Sequence, residues 1–278
     1  MHVNLSEVVG EQSKDTTIPW QMINNNHVVT FLRTMGYQYV HFETWWQPTA
    51  HNTCADLNVP CSQVKLLGMT APNEFVRLLI ETTILHRFTG EDLTSMYRGY
   101  TLNAFDKLAE MPELPGPKFI SAHILCPHWP YVFNAEGEAI EVVSWMTEPV
   151  LMQREKYLDQ VKFVNKKVEI MVNEILSKSQ NPPIIILQAD HGSRLCCDEG
   201  FTDTQCSQDR MRILNAYYLP YGGDKTLYNS ISPVNTFRVV FNFYFGADYE
   251  ILSDYSYHSS FFEAPYAFVN VTDIVRYD

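Results

Sequence analysis

The chain has 278 residues, of which 46% are hydrophobic and 19% charged, the profile of a folded globular protein and not of a disordered one. A net charge of −12 excludes a nucleic-acid surface, because nothing here neutralises a run of phosphates. Small anionic substrates stay open, since one bound metal ion reverses the field inside a pocket.

In chain order, Asn24 to Asn26 offer helix caps, Val28, Val29, Phe31 and Leu32 form an apolar face, and Gly36 supplies a stop. Tyr37 to Phe42 reads as a strand. Thr70 and Pro72 open a helix expected to run to about Arg87. Lys118 to Leu125 is the next expected strand. A long helix is predicted from Leu151 to Ser177, with Tyr157, Val161, Val164, Val168, Met171 and Ile175 in alternating steps of four and three. Asn181-Pro182-Pro183 ends it. Ile184 to Leu187 is a continuous apolar run, the pattern of a central parallel strand covered on both faces. Arg212 to Leu219 reads as a further strand, and Ser232-Pro233 starts a helix reaching about Phe245. This alternation predicts a three-layer α/β sandwich with a mostly parallel central sheet. No linker interrupts it, so residues 1–278 are expected to form a single domain.

No stretch approaches the roughly 18 apolar residues that a membrane helix needs. Residues Met1 to Glu7 lack the basic and apolar regions of a signal peptide, which by itself reads as soluble and cytosolic. The cysteines pull the other way. Cys54 lies near Cys61, and Cys196, Cys197 and Cys206 crowd one stretch without any C-x-x-C pair for a structural zinc. Short-loop disulfides of an oxidising compartment and free surface thiols are both compatible with this spacing.

Ligands of open α/β sheets collect at the carboxyl ends of strands. The run Ile184 to Ala189 delivers Asp190-His191-Gly192-Ser193. A carboxylate and a neutral imidazole side by side can reach one divalent ion, and Gly192 lets the chain turn after them. The alternative is Asp190 capping the following turn and His191 packing structurally. The strand Phe119 to Leu125 leads into Cys126-Pro127-His128-Trp129-Pro130-Tyr131, where two prolines restrict how His128 points. His128 then suits contact with an oxyanion or a leaving oxygen, or a structural turn. His123, on the strand, reads as a core histidine or as a substrate contact. Arg194 can pair with an anionic substrate or with Asp198 or Glu199.

Pro-His-x-Pro-Tyr after a strand, a long helix beginning near Tyr157-Leu158-Asp159-Gln160, and Asp-His-Gly after an apolar strand together resemble the sulfatase-like branch of the alkaline phosphatase superfamily. Asn215-Ala216-Tyr217-Tyr218-Leu219-Pro220 and Ser232-Pro233-Val234-Asn235-Thr236-Phe237-Arg238 are similar to an uncharacterised bacterial, membrane-anchored group within it. The resemblance covers about Asn24 to Phe245. It implies an alkaline phosphatase-like fold, Asp190 and His191 as ligands of one divalent metal ion (Mn, Zn, Mg or Ca), and His128 as the residue touching the transferred phosphoryl or sulfuryl group. His123 and Arg194 are then substrate-binding. The implied activity is hydrolysis or transfer of a phosphate or sulfate ester through a Ser, Thr or Cys nucleophile. The implied location is the extracytoplasmic face of a bacterial membrane, reached by upstream helices. The family places its acidic first ligand and its nucleophile ahead of the matched part. The chain is therefore expected to be a fragment lacking both, or a non-catalytic domain that keeps the fold. A serine hydrolase is disfavoured by the lack of a Gly-x-Ser-x-Gly elbow.

Glu43, Trp45 and Trp46 follow a strand in a position to line a pocket, and the aromatics read mainly as packing or a surface lid. His51, Asn52 and Asp56 form a polar cluster of undefined purpose, and Asn235 and Arg238 are expected to dock a helix.

Overall fold

A computed structural model describes residues 5–60, 83, 86–142, 149–193, 195, 204–260 and 263–275. The fold is mixed α/β, and the chain divides into two compact units: Pro19–Gln180, and Asn181–Asp278 together with Met1–Ile18.

Two short helices, α1 (Leu5–Val9) and α2 (Thr17–Asn24), come first in the chain. In the Pro19–Gln180 unit, helix α3 (His27–Thr34) begins as the sequence predicts, with the Asn26 side chain accepting from the Val29 amide at 3.0 Å. It ends on Gly36, whose φ of +84° only glycine adopts without strain. The Tyr37 amide donates to Leu32 O and the Gly36 amide to Arg33 O, so the last carbonyls are satisfied where the chain reverses into β1. Strands β1 (Gln38–Phe42), β2 (Leu57–Val59) and β3 (Lys118–Ala122) form a parallel sheet in the order β2-β1-β3. Val40 faces Leu57 on one side and Ile120 on the other. β1 is central and accordingly the most buried, with Val40 fully inaccessible.

One side of this sheet packs Val40, Phe42 and Val59 against Ala104 and Leu108 of α4 (His86–Glu110) and against Met111 and Leu114 just after it. Helix α4 was not expected. Its apolar residues Met96, Tyr97, Tyr100, Ala104 and Leu108 recur at helical spacing, but Gly99, Thr101 and Asn103 dilute the signal. The helix expected from Thr70 lies, apart from its last residues, outside the described residues. Met96, Tyr97 and Tyr100 join Val132, Phe133 and Phe163 in a second core. Phe163 comes from α5 (Val150–Lys178), which matches the predicted long helix within a residue at each end.

Fully buried Gln160, on α5, organises the turn after β3. Its Oε1 accepts from the amides of Val132 (2.8 Å) and Phe133 (3.3 Å), and its Nε2 faces the carbonyls of Pro127, His128 and Pro130 at 3.2–3.4 Å. The Cys126-Pro127 and Trp129-Pro130 bonds in this turn are cis.

In the other unit, β4 (Ile185–Gln188) pairs with β5 (Asn215–Tyr218), and β6 (Tyr257–Ser260) with β7 (Ala264–Asn270), both antiparallel. The apolar run before Asp190 thus differs from the expected central parallel strand: Ile185 to Leu187 are half-buried and Gln188 is exposed. Helix α7 (Pro233–Phe245) starts at the predicted Ser232-Pro233 and ends on Gly246 at φ +64°. Ser232 does not cap it through its own side chain. Instead, Asp254 accepts from the Ser232 amide and hydroxyl, from Asn235 Nδ2 and from the Tyr228 hydroxyl. Asn235 and Arg238 dock the helix as expected: fully buried Asn235 exchanges hydrogen bonds with the Leu252 backbone, and Arg238 donates to Glu250 O at 2.8 Å.

Candidate functional sites

Asp190 and His191 are placed by a relay that begins on α7. Thr236, almost fully buried, holds Gln188 Nε2 at 3.0 Å and the Tyr217 hydroxyl at 2.9 Å, which fixes β4 against β5. Gln188 Nε2 also donates to Asn215 Oδ1, and the Ala189 amide to Leu214 O, so pairing persists to the residue before Asp190. Gly192 is then required by space and not by a left-handed φ. A Cβ there would lie inside van der Waals contact of the Asp209 and Arg212 carbonyl oxygens, and the Gly192 amide donates to Arg210 O at 2.7 Å. The loop therefore rests backbone to backbone on the end of α6 (Thr204–Met211).

The two oxygens of Asp190 face different partners. Oδ1 accepts from the His191 amide at 2.9 Å, which is the turn-capping role. Oδ2 lies 3.6 Å from His191 Nε2. Ligand bonds of about 2.0–2.2 Å at a tetrahedral angle place two donors roughly 3.4 Å apart, so this pair fits one edge of a metal's coordination shell. The Asp190 side chain is 71% exposed and His191 36%, which leaves that edge open to solvent. Among the described residues no group of three His, Cys, Asp or Glu side chains gathers, so water or substrate would fill the remaining positions. On the other side of the His191 ring, Arg210 Nη1 stands 2.7 Å from Nδ1 and Gly192 O lies 2.9 Å from it. Arg194 lies outside the described residues.

The Pro19–Gln180 unit presents a separate constellation at the carboxyl edge of its parallel sheet. β1 runs into Glu43 and Thr44, a 3-10 turn covers Gln47–Thr49, and β3 runs into His123. Buried Thr49 places Oγ1 2.8 Å from Thr44 Oγ1 and 3.2 Å from His123 Nδ1. The Trp46 ring meets His123 edge-on at 5.3 Å. The Thr49 main chain is also fixed: its carbonyl accepts from the Thr44 amide and from His41 Nε2, and its amide donates to Trp46 O. That carbonyl can only accept, so His41 carries its proton on Nε2 and takes the Tyr39 hydroxyl on Nδ1 at 3.3 Å. Burial depresses the His41 pKa against the smaller raising effects of the Thr49 carbonyl and Glu43. Tyr39, His41, Thr49 and Ser121, with Met22 and Ile23, line a cavity of about 360 Å³.

A hydroxyl within hydrogen-bond reach of an imidazole is the arrangement of an activated nucleophile. The Thr49–His123 contact is not legible in the sequence, because only the β1–β3 register, with Phe42 opposite Ala122, brings the two together. The one available signal was a threonine shortly after an apolar strand. His123, half-buried, has Thr49 Oγ1 as a partner of its Nδ1. Exposed His128 is restrained as its flanking prolines suggest: Nδ1 donates to Trp129 O at 2.5 Å and its carbonyl faces Gln160. Burial pushes the Cys126 thiol up to about 12. The His51, Asn52 and Asp56 cluster is largely structural. Buried Asn52 accepts from the Cys54 amide, and Asp56 is held below the usual carboxylate range by the Tyr39 amide and then by Arg33.

In comparisons with protein-family models, curated proteins and solved structures, none matches this chain.

Proposed function

We propose that the chain is a metal-dependent phosphoryl- or sulfuryl-ester hydrolase or transferase of the sulfatase-like type, and that β1–β3 belong to an alkaline phosphatase-like three-layer sandwich. The observation that carries this reading is the Asp190 Oδ2–His191 Nε2 separation of 3.6 Å at a strand end, on a loop whose glycine admits no side chain. Asp190 and His191 would hold one divalent ion (Mn, Zn, Mg or Ca). Such an ion, when bound, neutralises charge on the non-bridging oxygens of an ester. His128 and Arg194 are assigned to contacts with the anionic group.

The nucleophile that the resemblance implies is assigned to no residue of this chain; Thr49 Oγ1 and His123 Nδ1 form a hydrogen-bonded pair within the Pro19–Gln180 unit. An extracytoplasmic location is supported by the disulfide that holds Cys206, since disulfides persist in oxidising compartments. Among the described residues, no helix is long and apolar enough to cross a membrane.

Isothermal titration with zinc or manganese should show binding that Asp190→Ala removes, and nitrophenyl phosphate or sulfate should be hydrolysed in a metal-dependent way. Absence of Asp190-dependent binding would refute the metal pair. The second reading is a non-catalytic domain that keeps the fold, which predicts no turnover with any metal.

A further inference from the structure

Two groups make opposite demands on Nδ1 of His191. Arg210 Nη1, 2.7 Å away, can only donate, so this contact needs a lone pair on Nδ1. Gly192 O, 2.9 Å away, can only accept, so that contact needs a proton on Nδ1. One nitrogen cannot serve both. While Arg210 holds the ring, its proton sits on Nε2, facing Asp190 Oδ2 at 3.6 Å, and Nε2 has no lone pair for a cation. When Nδ1 instead donates to Gly192 O, Nε2 presents its lone pair beside Oδ2. That is the usual disposition of a metal-ligating histidine, whose second nitrogen is oriented by a carbonyl. Arg210 need not travel far between these states. Nη1 already lies 3.3 Å from Gly192 O, whose two lone pairs can take both donors.

We propose that Arg210 is a positioning residue that selects the His191 tautomer: it holds the ring in the form that refuses a divalent cation, and a cation binds when Arg210 gives up the ring for the Gly192 carbonyl. The exchange moves a proton between the two nitrogens of a neutral ring, so its charge is the same before and after. The inference rests on the metal-pair reading above, but its first readout needs no metal.

The test uses the full chain with isotope-labelled histidine, stripped of metal by a chelator, with His191→Gln to assign the ring signals. Nitrogen shifts should show Nδ1 of His191 unprotonated in the wild type and protonated in a large fraction of Arg210→Met. Zinc should move the wild-type ring to the Nδ1-protonated form. It should also bind Arg210→Met roughly tenfold more tightly, the change expected on removing one charge-assisted hydrogen bond. Losing the positive charge also favours a cation, so the ring signal, and not affinity alone, decides. Arg210→Gln provides a second neutral variant if the methionine protein fails to fold. A wild-type ring already protonated on Nδ1 without metal, or a ring unchanged by either substitution, overturns the proposal. Normal tautomer switching with no zinc binding to any variant overturns the metal reading instead, and with it the gating role.

Discussion

Replacing Gln160 with leucine keeps the side-chain size and removes every polar contact that a fully buried amide makes with the 127–133 turn. The amides of Val132 and Phe133 lose their acceptor in a site that water does not reach. A buried donor left unpaired costs about 1–3 kcal/mol, so the pair should cost about 2–6 kcal/mol. A domain of this size is stable by about 5–15 kcal/mol, so the loss is large. Urea unfolding followed by tryptophan fluorescence should show a midpoint lower by roughly 1–3 M, at an m-value near 2 kcal/mol per M. Gln160→Glu gives a sharper check. It keeps the acceptor for both amides but sets a carboxylate against the carbonyls of Pro127, His128 and Pro130. Its folded-state pKa is therefore raised, and this variant should gain stability as pH falls, opposite to ordinary carboxylates. A Gln160→Leu protein within about 1 kcal/mol of wild type would refute the argument that this one side chain holds the turn.

Gly192→Ala would force a methyl group onto the Asp209 and Arg212 carbonyl oxygens, costing about 1–3 kcal/mol by overpacking and weakening zinc binding, both measurable by calorimetry. His41 has a folded-state pKa below its ordinary value. Its contribution is therefore intact above about pH 6.5 and lost as pH falls through the lower folded value, and His41→Asn should flatten that limb of a pH–stability curve. For Asp254, burial pushes the pKa up, but hydrogen bonds from Ser232, Tyr228 and Asn235 outweigh it and hold it low. The stability it gives is present above about pH 4 and lost on further acidification, so Asp254→Asn should melt earlier at neutral pH and converge with wild type in acid. Thr49→Ala removes the buried hydroxyl that Thr44 Oγ1 and His123 Nδ1 share and should cost about 1–2 kcal/mol, read in a thermal melt; unchanged stability would refute that role.

The elements best read from sequence are those whose cause is local. Asn26 and Gly36 bracket α3 through a side-chain cap and a left-handed residue, and α5 follows from an unbroken apolar stripe. Helix α4 was missed because its buried face includes Thr101 and tyrosines, which no hydropathy pattern marks as core. The β4 run reads as a doubly covered strand on composition, but pairing direction depends on where β5 returns, and that is a non-local fact. The same holds for the chemistry. Asp190 and His191 are sequence neighbours and legible together. Thr49 and His123 are 74 positions apart and become a pair only through strand register. Asp254, 22 positions from the Ser232 it caps, was invisible for the same reason.

The order β2-β1-β3 also sets a timetable. Residues 38–42 can meet 57–59 early, but their other edge waits for 118–122, beyond the whole of α4. Closing a loop of that length carries an entropic cost before any pairing rewards it. During synthesis the central strand therefore has one edge unclaimed until residues 118–122 have emerged, after the α4 residues that pack on Val40 and Phe42. For that interval the apolar edge that later becomes the best-protected strand of the unit is the one most exposed to wrong partners.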